Sequence, residues 1–227
     1  MPRLLAVDTA TEACSAALGN SGRIVENHIY GPREHMQQLL PMIDELLDEA
    51  GVSLRDVDAI AFGRGPGSFT GVRIGLGIVQ GLAFATGLPL IPVSTLAALA
   101  QSGVTDAVAC GDRILAAIDA RMGEVYWGWF ELDGERRVVA LGAERVSAPE
   151  QVESAPAAAR WIGVGSGWCY AERLPTGAHR IDAALLPHAG ALLRLALPLW
   201  EQGATVTAEE AVPVYLRDNV AWPQGSR

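Results

Sequence analysis

Residues 63–87 read GRGPGSFTGVRIGLGIVQGLAFATG, and this stretch decides the fold. It opens on a turn dense in glycine, Gly63-Arg64-Gly65-Pro66-Gly67, with Ser68 and Thr70 following as candidate helix caps. Apolar residues then recur at helical spacing: Val72, Leu76, Val79 and Ala83 form one stripe, with Ile74, Ile78 and Leu82 beside it. Gly87 ends the helix, because glycine tolerates a left-handed cap, and Pro89 just beyond cannot continue it. The apolar run 57–62 before the turn reads as a buried strand. Strand, turn and helix together aim backbone N–H groups and the positive end of the helix dipole at whatever sits above the turn, which suits an anion. Gly65, Gly67, Ser68, Thr70 and Gly71 are therefore the candidate nucleotide- or anion-binding turn. No Gly-Lys-Ser/Thr closes it, so it is not a Walker A loop, and its spacing departs from the dinucleotide fingerprint.

The helix carries Gly71, Gly75, Gly77 and Gly81, spaced by fours and twos. Each interior glycine costs about 1 kcal/mol relative to alanine, so another helix is expected to come very close. Two readings stand: close packing inside one domain, or a helix-to-helix contact between chains.

Upstream, 4–7 is a short apolar strand ending at Asp8, 14–18 a second, and 23–30 a third after the hairpin turn Gly19-Asn20-Ser21-Gly22. Residues 33–50 form a helix with the stripe Met36, Leu39, Leu40, Ile43, Leu46 and Leu47; Pro41 inside it should kink it or start its main segment. Downstream, 88–93 is a fifth strand and 95–101 a third helix. Three hairpin-connected strands, then helix, strand, helix, strand, is the order of the ribonuclease H-like half of the actin and sugar-kinase ATPases. An aspartate where Asp8 stands holds the metal of a metal–nucleotide complex in those enzymes. The plainer reading is that Asp8 caps the strand end through local hydrogen bonds.

A first lobe is expected over 1–105 and a smaller α/β lobe over 106–227, with the last segment returning to the first. In the second, 114–120 is an apolar strand and 124–132 an aromatic one, with 136–141 pairing across the Asp133-Gly134 turn. Residues 149–155 read as a short helix, 161–165 as a strand, 188–202 as an amphipathic helix and 213–216 as a closing strand or extended arm. Asp119 is the candidate acidic partner of Asp8.

The chain has 227 residues, half of them hydrophobic, enough to bury a full core in one large domain or two lobes. No uninterrupted apolar run of membrane-spanning length stands out, and the N-terminus runs straight into a strand with no signal peptide. Cys14, Cys110 and Cys169 are scattered, which fits a reducing cytoplasm and argues against a disulfide frame or a zinc site. The net charge of −9 argues against strong RNA binding by this chain alone, because phosphate contacts dominate such affinity.

Other residues draw two readings each. His35 stands near a helix start, with Leu39 four residues on, so capping or packing is favoured over a metal. His28, His179 and His188 read as surface residues. Ser68 and Ser166 sit among glycines, but no histidine can be assigned as their base, so capping outweighs nucleophilic chemistry. The strand Tyr126-Trp127-Gly128-Trp129-Phe130 is either a stacking platform for bases or a strand packed on both sides, with the latter favoured.

The motif GRGPGSFTGVRIG, with Asp8-Thr9-Ala10-Thr11-Glu12 and Arg33-Glu34-His35, resembles the bacterial TsaB family. The resemblance runs over 4–102 and resumes at 119–126 and 213–217. It implies two ribonuclease H-like, actin-like ATPase lobes, the second reduced. It also implies an accessory, non-catalytic scaffold for making threonylcarbamoyladenosine at position 37 of tRNAs that read ANN codons. Its implied partners are TsaD, which carries the chemistry, and the ATPase TsaE, with tRNA reached only through the complex and a homodimer formed by the chain alone. The two metal-binding histidines of TsaD fall on Thr95 and Leu99 here, neither of which can replace an imidazole. No cofactor is expected for this chain by itself, with ATP or ADP at the contact with TsaD. The expected interface is Met36, Leu39, Leu40, Ile43 and Leu46 on the first helix and Val72, Gly75, Leu76, Val79 and Gly81 on the second, because both helices carry more apolar surface than one sheet face needs. The alternative is a stand-alone ATPase or small-molecule kinase, with Asp8 holding metal and 65–71 holding phosphate.

Overall fold

On β1 (Leu4–Asp8), Leu4 and Ala6 enter one hydrophobic cluster and Leu5 and Val7 another. A strand that is apolar on both sides must be central and covered twice. The computed structural model describes residues 2–20, 22–31, 35–155 and 160–217. In it β1 pairs antiparallel with β2 (Ala13–Asn20), which pairs antiparallel with β3 (Arg23–Tyr30). On its other side β1 runs parallel to β4 (Ala59–Gly63), and β4 parallel to β5 (Leu90–Val93), giving the order β3-β2-β1-β4-β5. α1 (His35–Ala50) and α2 (Phe69–Thr86) cover one face of this sheet. α3 (Thr95–Ser102) and α4 (Ala189–Glu201) lie on the other. This is the ribonuclease H-like arrangement that the element order implies. Arg33 and Glu34, expected to open the first helix, and Ser21 of the hairpin turn lie outside the described residues. Pro41 sits inside α1 on its solvent side, and the helix runs through it.

The second sheet is built from β6 (Arg113–Arg121), β7 (Glu124–Leu132), β8 (Val138–Ala140), β9 (Arg145–Ser147), β10 (Trp161–Val164) and β11 (Arg180–Asp182), in the order β11-β10-β6-β7-β8 with β9 also on β7. The helix expected over 149–155 is only a 3-10 turn, Pro149–Gln151. β9, β11 and a 3-10 segment at Ser166–Arg173 are additions to the expected elements. Residues 213–216 are an extended arm rather than a strand.

One hydrophobic cluster joins the two sheets: Leu4, Ala61 and Ile91 meet Leu96, Leu99 and Leu192, and these meet Ile114, Phe130 and Ile162. The lobes are thus packed together. The return to the first lobe begins as early as α4, whose Ala189 N–H donates to Ser15 Oγ on β2 at 3.0 Å. α2 is the one helix among the described residues that is long and apolar enough to cross a membrane, although only a third of it is buried. Its inner side lies on the sheet, and its outer side is open around Gly77, Gly81 and Phe84, with Tyr215 of the C-terminal arm reaching only its first turn at Phe69.

Candidate functional site

The glycine-rich turn after β4 is held from below by the end of β1. Ser68 N–H donates to Ala10 O at 2.7 Å, and a methyl group on Gly67 would lie 2.3 Å from that oxygen, so only glycine fits. The Ser68 hydroxyl accepts from Gly71 N at 3.3 Å, which makes it the cap of α2; Thr70 is exposed and is not a cap. Gly65 N–H donates to Thr95 Oγ1 at 3.2 Å, and Thr95 N–H donates back to Gly65 O at 3.0 Å. The amides of Gly65, Ser68 and Gly71 are therefore engaged inside the chain. A turn with these three donors already used has fewer left for an anion than its sequence suggests. Gly87 closes α2 in the left-handed region, φ 76°, as expected.

Above the turn lies a cleft of about 850 Å³ between the lobes, lined by Gly67, Ser68, Phe69 and Arg73 on one side and Asp119, Arg121, Ser166 and Cys169 on the other, with Tyr215 and Arg217 of the arm. Asp8 does not line it. Its carboxylate is 2% exposed; Oδ1 accepts from Ala10 N–H at 2.7 Å, and Oδ2 is buried with no hydrogen-bond partner among the described residues. Burial pushes its pKa up to about 7, against the pull of the Ala10 hydrogen bond. The Ala10 bond is the local hydrogen bond that the plainer reading of Asp8 expects. Asp119 does line the cleft, but its carboxylate is taken by Arg121, through the backbone N–H at 2.9 Å and the guanidinium at 3.3 Å. Ser166 Oγ accepts from Asp119 N–H at 3.1 Å. Thr95 and Leu99, which the resemblance sets in the places of TsaD's histidine ligands, are fully buried. Among the described residues no group of three His, Cys, Asp or Glu side chains could hold a metal ion.

His28 and His179 are exposed, as expected, whereas His35, His188 and the aromatic strand are packed into the structure. His35 is the buried first residue of α1, its Nε2 3.5 Å from Glu12 O. His188 is half-buried rather than a surface residue: it caps α4, and burial lowers its pKa although Glu26 stands 3.8 Å away. Trp127, Trp129 and Phe130 are buried, and the indoles donate to Ser147 Oγ and Glu153 O, both at 3.0 Å. Trp127 and Trp129 join Trp161 and Trp168 in a core on the outer side of the second sheet. No base could stack there without unpacking it.

The expected partner residues separate by face. Leu39, Ile43, Leu46, Val72, Gly75, Leu76 and Val79 are buried in the chain's own core and cannot present side chains to another protein, which corrects their assignment. Met36, Leu40 and Gly81 are on the surface. The close neighbour that Gly71 and Gly75 demand is a strand end rather than a helix: methyl groups there would lie 2.1 Å from Thr9 O and 2.5 Å from Thr9 Oγ1, and that hydroxyl donates to Gly71 O at 2.7 Å. Methyl groups on Gly77 and Gly81 would meet nothing within 4 Å. Phe69 and Phe84, at the two ends of the same helix, are 66% and 80% exposed. The apolar count alone does not single out these two and Arg73 as surface residues. With Gly77 and Gly81, their positions 69, 73, 77, 81 and 84 form a stripe at helical spacing that the sequence contains.

A two-lobed chain with this strand order, a glycine turn over the end of β1 and a cleft between the lobes defines a protein of the actin-like, ribonuclease H-like class. The family described as "TsaD: tRNA N6-adenosine threonylcarbamoyltransferase" matches residues 27–165. The tRNA threonylcarbamoyladenosine biosynthesis protein TsaB of Escherichia coli is 47% identical over 97% of this chain and 96% of its own length. That of Haemophilus influenzae is 43% identical over 96% of this chain and 95% of its own. The solved structure of YeaZ from Pseudomonas aeruginosa superposes with a TM-score of 0.90 at 54% identity, covering 95% of this chain and all of that one. The chain belongs to the TsaB family.

Proposed function

We propose that this chain is a non-catalytic partner subunit in the formation of threonylcarbamoyladenosine at position 37 of tRNAs reading ANN codons. In this reading it docks on TsaD, which carries the chemistry, and joins TsaE in a ternary complex in the cytoplasm. The observation that carries the reading is the open outer side of α2 around Gly77, Gly81 and Phe84. An apolar helix with open glycines at 77 and 81 and exposed phenylalanines at 69 and 84 is shaped for the close approach of another helix. Met36 and Leu40 on the neighbouring α1 are exposed as well. The reading against catalysis is supported by the engaged amides of the turn, the buried Asp8 and the apolar Leu99.

This reading gives the chain no metal or cofactor of its own and puts any ATP or ADP at the contact with TsaD. It routes tRNA through the complex, consistent with the charge of −9. In the absence of TsaD two copies pair through the same side as a two-fold homodimer, because a surface that accepts a helix pair of similar shape is self-complementary. The test is co-purification and modification activity with TsaD and TsaE. Phe84→Glu should remain folded yet lose TsaD binding and the activity that depends on it. A folded Phe84→Glu that binds and supports activity as the parent does would overturn the outer-side assignment. Turnover of ATP by the purified chain alone would overturn the non-catalytic one in favour of a stand-alone ATPase.

A further inference from the structure

The arm at 211–217 touches both lobes. It starts on the second half of α2, where the Gln80 side chain donates to Ala208 O at 2.9 Å and Ala211 O at 3.1 Å. It then runs toward the first turn of the same helix. Val214 N–H donates to Arg64 O at 2.8 Å, and Val214 O stands so close to Gly65 that a methyl group there would lie 3.0 Å from it. At the helix start the Tyr215 ring faces Phe69, with centroids 6.1 Å apart, and the Arg73 guanidinium lies 3.3 Å over Phe69 and 4.9 Å from Tyr215. Two residues further on, the arm crosses to the other lobe. Arg217 donates to Ala120 O at 3.2 Å and to the Glu124 carboxylate, and it touches Met122 Sδ at 3.6 Å. These three residues belong to the β6–β7 hairpin, whose turn holds Arg121 and Met122 at φ 63° and 57°. Such left-handed positions are costly for side-chain-bearing residues and persist only where the surroundings fix them.

We propose that 211–217 is a strap that couples the N-terminal end of the outer α2 side to the β6–β7 hairpin across the cleft, so that a protein docked over Phe69 and Arg73 biases the opening of the cleft. The physical basis is continuity. Only Tyr215 and Leu216 stand between Val214, bound to the glycine-rich turn, and Arg217, bound to the hairpin; so short a run has little slack while both ends stay bound. Tyr215 is the shared element: it lines the cleft and it stacks on the helix start. Displacing Phe69 or Arg73 by a partner helix shifts Tyr215, and Arg217 then loses its purchase on Ala120 and Glu124. The part that concerns docking rests on the proposed use of the outer α2 side; the coupling itself belongs to the chain alone.

Hydrogen exchange of the full chain, followed by mass spectrometry, tests this without any partner. Phe69→Ala removes a side chain that is exposed and so leaves the fold intact, yet it should speed exchange of hairpin amides 119–125 at least threefold. In the reverse direction, Arg217→Ala, with Glu124→Gln as a second variant, should speed exchange around residues 67–73. Phe84→Ala, on the same helix but away from the strap, should change neither. If each variant alters exchange only around its own position, the strap is wrong, and the partner reading of α2 stands or falls separately on co-purification. With both ends coupled in the isolated chain, loss of TsaD binding would leave the strap intact and overturn only the docking assignment.

Discussion

The two sides of α2 carry the same residue for opposite reasons. Gly71 and Gly75 face Thr9 at the end of β1 with no room for a methyl group, whereas Gly77 and Gly81 face open space. On the inner side glycine is demanded by a contact already made within the chain. On the outer side nothing among the described residues demands it, and the roughly 1 kcal/mol that each such glycine costs a helix is left without a return. The comparison teaches that glycine spacing by itself does not say which side of a helix is an interface. The side must be found first, and the residues between and beside the glycines find it: Val72, Leu76 and Val79 belong to the core, Phe69, Arg73 and Phe84 to the surface.

Substitutions on the two sides should separate sharply. The largest effect is expected from Gly71→Leu, whose Cβ would lie 2.1 Å from a backbone carbonyl that cannot move cheaply. Stability in a denaturant titration should fall by about 4 kcal/mol or more. Gly75→Leu should also destabilise through Thr9 and is not a clean probe of the interface, although the sequence pattern offers it as one. A stable, unaltered Gly71→Leu would break the comparison.

Under the same turn, Asp8 is held neutral by burial, with its pKa near 7 against 3.8 in the unfolded chain. Between these values the folded state keeps a proton that the unfolded state has lost. The stability is therefore fully present below pH 3.8 and declines as pH rises through about 7, by up to about 4 kcal/mol from this group. Asp8→Asn should flatten that decline in a series of unfolding curves from pH 4 to 8. An unchanged pH profile would show that Asp8 is ionised in the folded protein and has a partner that geometry does not reveal.

On the outer side, Gly81→Leu should leave the monomer folded and even raise its helix stability by about 1 kcal/mol. If the outer side is the proposed partner surface, the same change should weaken a homodimer and a TsaD complex together, each at least tenfold by light scattering and co-purification. Loss of one with retention of the other would show that two surfaces are in use. The smallest effect belongs to Phe84→Ala, whose ring is already in solvent: unfolding of the monomer should change by no more than about 0.5 kcal/mol.

Much of this molecule is legible in order and little in orientation. Ala59–Gly63, the turn, Ser68 as cap, the helix to Thr86 and the left-handed Gly87 all follow from local chemistry, in which each residue answers to neighbours within one turn. β9 and β11 are three residues each, too short for alternation to mark, and form only because β7 and β10 offer edges. The interface residues are misassigned where the count of apolar residues stands in for their direction. Leu39, Ile43 and Leu46 look like spare surface only until the sheet that covers them is in place.

Residue type and spacing alone specify the strand–turn–helix unit, the order of elements that makes the first lobe ribonuclease H-like, and the absence of imidazole at Thr95 and Leu99. These depend on residue type and spacing, which the chain carries along its length. Long-range packing sets the rest: α4 returns to cover the first sheet, the aromatic strand is core, Asp8 is buried and does not line the cleft, and the arm touches both Phe69 and Glu124. Those outcomes depend on which distant surfaces meet, and the meeting of Ser15 with Ala189 or of Glu124 with Arg217 is fixed by packing across the whole chain, not by any local pattern.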